Sequence, residues 1–325
     1  MSTALARGAH MLVTGGAGFI GSHLVDRLVD HGHEVTVYDS LVSGHNWITG
    51  HIEAGRVRFI QADLLDADRL RSAMKGTSVV WHLGGNTDIP SGVNRPDLDL
   101  QNAIVATHNV LEAMRAHGVG RLVFSSTGAI YGEAEVDPIP ENYGPLLPLS
   151  LYAAGKLAAE GLIASYCSLF GFRARMFRFG NVVGARMSHG VTYDFIVKLL
   201  RNPTELEILG DGQGVKSYFL VEECLDGMFF VVEKAFAGDG PAVDLLNLGA
   251  GEATTVMDIA RIVIEELGLT DVKFRFTGGR QGWPGDQPRV RLDVARVNRL
   301  GWKARAQSSE AVRVAARRII ADLKK

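Results

Sequence analysis

Val13-Thr14-Gly15-Gly16-Ala17-Gly18-Phe19-Ile20-Gly21 decides the fold. It follows the apolar run Met11-Leu12-Val13 and opens an apolar-periodic segment from Ile20 to Val29. That pattern reads as strand, tight turn and helix. Gly15 lets the strand turn sharply, Gly18 lets backbone come close to a pyrophosphate, and Gly21 lets the helix pack near the strand. The amides at the helix start then face phosphates from the favourable end of the helix dipole. A second apolar run, Glu34-Val35-Thr36-Val37-Tyr38, ends in Asp39, about 20 residues past the glycines, where a carboxylate grips adenosine ribose hydroxyls. Three glycines alone would suit an ordinary turn; with a strand before them, a helix after them and Asp39 in place, a dinucleotide site is expected. The acid repels a 2′-phosphate, and Ser40-Leu41-Val42-Ser43 brings no arginine, so NAD is expected over NADP.

Strand-like and helix-like runs alternate as far as residue 180 or so. Strands are expected at 10–14, 34–38, 57–61, 78–82, 121–125 and 173–178, and helices at 19–31, 66–73, 99–117 and 152–170. Such alternation implies an α/β fold with a doubly wound parallel sheet of Rossmann type and ligand contacts past the strand C-termini. After Asn181 the pattern breaks. Helices fit 191–200, 222–236, 255–267 and 308–323, with strands at 206–209 and 216–221 and a turn at 210–214. The expected division is an NAD-binding domain over 1–180 and a smaller α/β substrate domain over 181–325, with segments near 215–250 returning to the first.

A chain of 325 residues, 46% hydrophobic, accommodates both domains. A formal charge of -2 without a basic cluster argues against nucleic acid as partner. Cys167 and Cys224 lie far apart with no metal-ligand spacing, so no metal is expected and a reducing, cytoplasmic setting is. Residues 1–10 are short and polar, without the apolar core of a signal peptide. No window offers the ~20 apolar residues of a spanning helix, so no membrane is expected as partner.

Further strand ends carry candidates. Asp63 can accept from an adenine amino group, with Leu64 beside it, or cap the helix that follows. The fourth strand ends in His82-Leu83-Gly84-Gly85, whose small residues let a pyrophosphate and a nicotinamide ribose pass over the backbone. Nothing nearby would orient His82 as a base, so it is expected to be a packed histidine. Asn102 lies early in the amphipathic 99–117 segment, as a buried polar tether or a solvated residue.

Arg121-Leu122-Val123-Phe124-Ser125-Ser126-Thr127 reads as a strand running into a small-residue turn, and Tyr152-Ala153-Ala154-Gly155-Lys156 begins 25 residues after Thr127. At i and i+4 of a helix the tyrosine and lysine share a face. An ammonium beside a phenol stabilises the phenolate, so Lys156 is expected to lower the Tyr152 pKa from ~10, with added help from an oxidised nicotinamide. Tyr152 then serves as a base, and Thr127 hydrogen-bonds the same substrate hydroxyl.

These residues together resemble the extended short-chain dehydrogenase/reductase family and, within it, the NAD-dependent nucleotide-sugar epimerases. The resemblance covers nearly the whole chain. It rests on Gly15 to Gly21, Asp39, Ser125-Ser126-Thr127 with Tyr131-Gly132, Tyr152 with Lys156, Arg178-Phe179-Gly180-Asn181-Val182-Val183-Gly184 and Leu209-Gly210-Asp211-Gly212. It implies Thr127, Tyr152 and Lys156 as the catalytic set. The cofactor set it implies is Gly15, Gly18, Phe19, Ile20, Gly21, Asp39, Asp63, Leu64, Leu83, Gly84, Gly85, Asn102 as the tether, Ser125, Tyr152 and Lys156. Asn181 and a cation at Lys216 would hold a nucleotide diphosphate. Thr277 to Asp286, followed by Asp293, resembles a nucleotide-sugar signature. Many relatives carry Arg directly before its Gly-Trp pair; here Gln281 stands there and Arg280 one place earlier, so either would meet the diphosphate. Trp283 covers a ligand or packs the loop.

Sugar dehydratases of this family carry an Asp-Glu pair after the threonine, and decarboxylases a Glu nearby. Here those positions are Gly128 and Ala129, which offer no acid or base, and no Cys or His for carbon-5 epimerisation stands beside Thr127. The resemblance therefore implies a UDP-sugar 4-epimerase. Hydride leaves carbon 4 and returns to the opposite face of a transient 4-keto sugar, on UDP-glucose/UDP-galactose or UDP-glucuronate/UDP-galacturonate. A nucleotide-sugar dehydrogenase or reductase is the alternative. Arg186, if it faces the sugar, would pair with a C6 carboxylate and favour the uronate. The intact Thr127, Tyr152 and Lys156 argue against a non-catalytic NAD-sensing scaffold. Relatives pair helices like 99–117 and 152–170 into a four-helix interface, which implies a homodimer.

Overall fold

β1 (His10–Thr14) lies inside the sheet because its residues offer nothing to water: Met11, Leu12, Val13 and Thr14 are fully buried, as a strand covered on both faces requires. It pairs in parallel with β2 (Glu34–Asp39) on one side and β4 (Val79–His82) on the other. β3 (Arg58–Gln61) extends the first side and β5 (Arg121–Thr127) the second, again in parallel. β6 (Arg173–Phe179) and the strand Val243–Leu248 complete seven strands, in the order Val243–Leu248, β6, β5, β4, β1, β2, β3. The chain steps outward from β1 to β3 and restarts at β4. The order thus reverses between β1 and β4, and the crevice past their C-terminal ends is where such a sheet takes a ligand. The Rossmann-type α/β reading holds in this computed structural model, which describes residues 6–44, 46–236 and 240–324. The stretch 1–10 read above for a leader falls partly outside them.

Val243–Leu248 has no counterpart among the strands read from sequence. Asp244-Leu245-Leu246-Asn247 shows neither alternation nor a helical period, and burial sets in only at Leu246.

Two compact units divide the chain. The first takes residues up to Thr127, then Leu151–Arg178 and Met228–Leu246; the second takes Gly128–Ser150, Phe179–Gly227 and the residues from Asn247 on. The boundary at 180 thus leaves out the excursion 128–150, which has no apolar period to announce where it packs.

In the first unit, α1 (Phe19–Asp30) buries Gly21, Leu24, Val25 and Leu28, a stripe of helical spacing. The helix Leu151–Phe170 buries Ala153, Lys156, Ala159, Ile163 and Cys167 in the same rhythm. The helix expected over 99–117 is not continuous. A turn of α-helix, Asp97–Asp99, runs into a π-helical segment, Leu100–Val105, and only then into the α-helix Ala106–Ala116. Asn102 Nδ2 donates to the Leu98 carbonyl at 2.9 Å, competing for an acceptor of the α-helical ladder. Here the Leu151–Phe170 helix comes very close: a Cβ on Gly155 would lie 2.8 Å from Ala103 Cβ and 3.1 Å from the Asp99 carbonyl oxygen.

The second unit packs Phe195, Ile196 and Leu199 of the helix Val191–Arg201 with Ile259 and Val263 of Val256–Leu267 and Val312, Ala315 and Ile319 of Ser308–Leu323. The strand expected over 216–221 is broken at Ser217. Val215–Lys216 pairs with Thr254–Thr255 and Arg289–Val290, whereas Tyr218–Leu220 pairs with Asn181–Val183. Ser217 itself donates its backbone N–H to the Val290 carbonyl. Cys167 and Cys224 are buried and form no disulfide. Among the described residues no helix is long and apolar enough to cross a membrane, and no group of metal-ligating side chains gathers.

Candidate functional site

The glycine turn is built from contacts no side chain could share. Gly15 adopts φ +70°, and a Cβ on it would lie 2.7 Å from the Gly84 nitrogen. A Cβ on Gly21 would lie 2.1 Å from the Gly15 carbonyl oxygen. Gly16, not singled out by sequence, would meet Val37 at 2.7 Å. Gly18 differs: a Cβ there meets nothing closer than the Gly15 oxygen at 3.5 Å, so its bareness leaves room outward. It is the N-cap of α1, with no side-chain cap and no acid in the first turn. Phe19 and Ile20 thus open a helix whose start is left to an external anion.

Asp39 is fixed by two backbone donors, Ala17 N to Oδ2 at 2.9 Å and Leu41 N to Oδ1 at 2.8 Å. The second bond holds Leu41 at φ +59°. Asp63 does not cap the next helix. Its Oδ1 accepts from Leu65 N, while Asp66 is the N-cap and accepts from Arg69 N. Both aspartates precede the helix, and the turn geometry decides between them. Tyr38 Oη donates to the Asp63 carbonyl and Asn109 Nδ2 to the Leu64 carbonyl; neither tether was read from sequence.

His82 is packed, as expected. Thr14 Oγ1 lies 2.7 Å from its Nδ1, and Thr107 Oγ1 lies 3.0 Å from its Nε2. Burial pushes the imidazole down to about 3, with the Lys156 charge adding to the effect, so the ring is neutral. Thr14 Oγ1 also accepts from Gly84 N at 3.1 Å, linking the ends of β1 and β4. Leu83 donates its N–H to the Thr14 carbonyl, and a Cβ on Gly84 would meet Leu64 Cδ1 at 2.8 Å.

Thr127 ends β5, and Tyr152 and Lys156 stand on the Leu151–Phe170 helix. Lys156 is buried, donates from Nζ to the Ser125 carbonyl at 2.8 Å and lies over the Phe124 ring at 4.7 Å. A Cβ on Gly85 would sit 3.5 Å from that Nζ, so the ammonium borders the β4 loop. Burial pulls Lys156 down to about 8, against the upward pull of Glu160 and Asp99. Glu160 accepts from Ser126 Oγ, from Arg178 Nε at 3.0 Å and from Arg178 Nη2 at 2.7 Å. This buried network holds the end of β5.

Tyr152 departs from the expectation. Burial pushes its phenol up to about 12; a hydrogen bond with Thr127 pulls it down and the Asp99 charge pushes it up further. The Lys156 ammonium is turned to the Ser125 carbonyl.

In the second unit, Lys216 Nζ meets Asp286 Oδ1 at 2.6 Å. Asp286 Oδ2 accepts from Gly282 N, and its carbonyl accepts from Gln281 Nε2. Asp286 thus organises the loop, a role that sequence reading missed. Asn181 donates both its backbone N–H and its Nδ2 to the Ser217 carbonyl. Arg280 is exposed and pairs with Glu133 at 3.6 Å. Trp283 is half-buried, and Arg186 is half-buried at φ +65°. At Gly128 a Cβ would lie 3.1 Å from Leu292 Cδ2 and 3.3 Å from the Phe179 carbonyl oxygen, which leaves no room for an acid.

The sequence model of the NAD dependent epimerase/dehydratase family matches residues 11–249. The UDP-glucose 4-epimerase of Mycolicibacterium smegmatis is 34% identical over 310 residues, 93% of this chain and 95% of that protein. A crystal structure of a UDP-galactose 4-epimerase superposes with a TM-score of 0.86 at 39% identity, covering 97% of this chain and 99% of that one. The UDP-glucose 4-epimerase of Thermus thermophilus, solved in complex with NAD, gives 0.83 at 31% identity over 95% and 98% of the two chains. The uncapped helix start, the glycine cradle and the fixed Asp39 carboxylate fit a dinucleotide without a 2′-phosphate. Its glycine turn, its sheet and its likeness along nearly the whole length agree: the chain belongs to the NAD dependent epimerase/dehydratase family, among the extended short-chain dehydrogenases/reductases, with NAD as cofactor.

Proposed function

We propose that the protein is an isomerase that inverts carbon 4 of a UDP-sugar. The reading is carried by one combination: Thr127, Tyr152 and the buried Lys156 stand together, while Gly128 and Ala129 provide nothing to drive elimination. NAD, when bound, supplies the acceptor to which carbon 4 gives its hydride and from which it recovers it, together with a positive ring charge. Tyr152 Oη takes the proton from the sugar O4 and gives it back to O4 of the product. Thr127 bonds the phenol, steers the same sugar hydroxyl and favours the phenolate. With the phenol at about 12 in the protein alone, Tyr152 becomes a base only when further positive charge arrives beside it. Lys156 remains a cation below about pH 8 and braces the β5 end through Ser125. Lys216 would grip the diphosphate, giving up Asp286 as it does so, and Asn181 would support it.

The relatives named above favour UDP-glucose and UDP-galactose as the substrate pair. A second reading, UDP-glucuronate and UDP-galacturonate, is favoured by Arg186. A non-glycine residue in the left-handed region costs about 1–2 kcal/mol, and a half-buried guanidinium held there suits a carboxylate. The test is mass-neutral conversion across UDP-glucose, UDP-glucuronate and UDP-N-acetylglucosamine, followed by chromatography. Inversion of one sugar without stoichiometric NADH supports the proposal. NADH rising in step with sugar consumption would favour a dehydrogenase instead.

A cytoplasmic homodimer completes the reading. Leu151, Leu169 and Phe170 on the Leu151–Phe170 helix and Leu100 on the π-helical segment are exposed, apolar surface that pairing of these helices would cover. Two buried cysteines that form no disulfide suit a reducing compartment.

A further inference from the structure

Asp99 belongs to none of the motifs above, yet it is among the most buried acids of the first unit, 1% exposed. Its Oδ1 accepts from Asn86 Nδ2 at 3.0 Å. Its Oδ2 is buried without a hydrogen-bond partner among the described residues. A Cβ on Gly92 would come within 2.9 Å of that oxygen, so the carboxylate is walled in. The backbone at Asp99 lies against Gly155, which stands between Tyr152 and Lys156 on the facing helix. The π-helical segment begins at the next residue, a distortion often found at functional sites.

The ionisable groups around this carboxylate are few. Asn86, which bonds the carboxylate, follows Gly85, where a Cβ would lie 3.5 Å from Lys156 Nζ; the Lys156 charge pulls the Asp99 pKa down and the Asp88 charge pushes it up. Its charge is felt by Tyr152 and by Lys156, whose other acid neighbour is Glu160. His82, also near Lys156, is neutral. The Pro90–Val93 turn and the π-helical segment bring no ionisable side chain. Burial raises Asp99, and the Asn86 bond opposes that rise. Glu160 already serves Arg178 and Ser126 with both oxygens, whereas Asp99 has one oxygen uncommitted.

We propose that Asp99 is a positioning residue for carbon-4 epimerisation, its carboxylate acting as the counter-charge that keeps Lys156 a cation beside the catalytic tyrosine. The proposal rests on the epimerase reading. A negative charge raises the pKa of every group near it, so Asp99 extends the range in which Lys156 stays charged toward higher pH. It also raises the pH at which Tyr152 becomes a base. Its removal should shift both limbs of the activity profile to lower pH, because acidic and alkaline limbs report the base and the acid that must be present together.

The test compares wild type with Asp99→Asn, which keeps an acceptor for Asn86. Epimerisation kcat is followed across pH, with NAD content measured in each preparation. The ratio of kcat at about pH 9 to kcat at about pH 7 is expected to fall roughly threefold or more in Asp99→Asn. A readout independent of turnover is the ε-carbon NMR resonance of Lys156, assigned through its loss in Lys156→Met and titrated in both proteins; its midpoint should move to lower pH. Superposable kcat profiles and an unmoved lysine midpoint, with NAD retained, would overturn the proposal. If Asp99→Asn does not fold, Asn86→Leu replaces it. Losing that donor favours the neutral carboxylic acid, so both readouts should shift in the same direction by less, and unmoved readouts there overturn the proposal equally. Wild type failing to invert any UDP-sugar would defeat the epimerase reading itself, while the NMR midpoints would still decide whether Asp99 sustains the Lys156 charge.

Discussion

Replacing Glu160 by Gln probes the network that fixes the end of β5. Glu160 is buried and accepts three hydrogen bonds, two of them from the buried Arg178 guanidinium. The amide keeps the shape but removes the charge opposite Arg178. One of its two termini becomes a donor facing donors. Breaking a buried ion pair from one side costs about 3–5 kcal/mol, mainly through the charge left behind. Each charge-assisted bond contributes about 1.5–3 kcal/mol, and the amide retains at most the bonds to its oxygen, so a loss near 3 kcal/mol is expected for Glu160→Gln. The assay is urea unfolding at constant pH, read as a lowered midpoint with an unchanged slope. The double variant Glu160→Leu with Arg178→Met should lose less than the single one, since no orphaned charge remains. A loss under about 1 kcal/mol for Glu160→Gln, as for an exposed pair, would refute the view that this network braces the strand end.

Tyr152→Phe should retain NAD and lose at least 100-fold in kcat; activity within tenfold of wild type would remove Tyr152 as the base. Gly21→Ala places a methyl 2.1 Å from the Gly15 oxygen, so the purified protein should lose its NAD absorbance, and full retention would contradict the cradle. Lys156→Met gives a pH test whose sign is fixed. The folded-state lysine, at about 8, binds fewer protons than the unfolded one at 10.5. Wild type therefore gains stability relative to the variant as pH rises from about 8 to 10.5, by roughly 3 kcal/mol over the window, measurable in paired denaturant titrations. A constant difference would show that the ammonium is not desolvated. Light scattering at micromolar concentration should report a dimer, and a monomer would count against pairing through the exposed Leu151, Leu169 and Phe170.

What sequence could disclose depended on how local the cause is. The Gly15 turn and the Gly21 contact follow from backbone crowding within a few residues, so the strand, turn and helix were legible at once. The spacing of Tyr152 and Lys156 was legible for the same reason. The pKa of Tyr152 was not, because burial sets it and Lys156 finds the Ser125 carbonyl instead. Thr107, Asp99 and Asp286 stayed hidden because their partners lie far along the chain: 25 residues separate Thr107 from His82 and 70 separate Asp286 from Lys216. The break in the 99–117 helix was hidden too, since Asn102 is unremarkable in a helix until its amide is seen at the Leu98 carbonyl.

The interleaving of the two units along the chain has a consequence for anyone who would take the protein apart. Each unit is assembled from three separate stretches, so no single cut releases either one whole. Ending the chain after Arg178 would strip Val243–Leu248 from the sheet and leave β6 with a bare edge of unpaired amides and carbonyls, an invitation to pair with another molecule. Grafting a different substrate unit would require several simultaneous junctions. New specificities in this chain are more readily reached by replacing side chains in place than by exchanging modules.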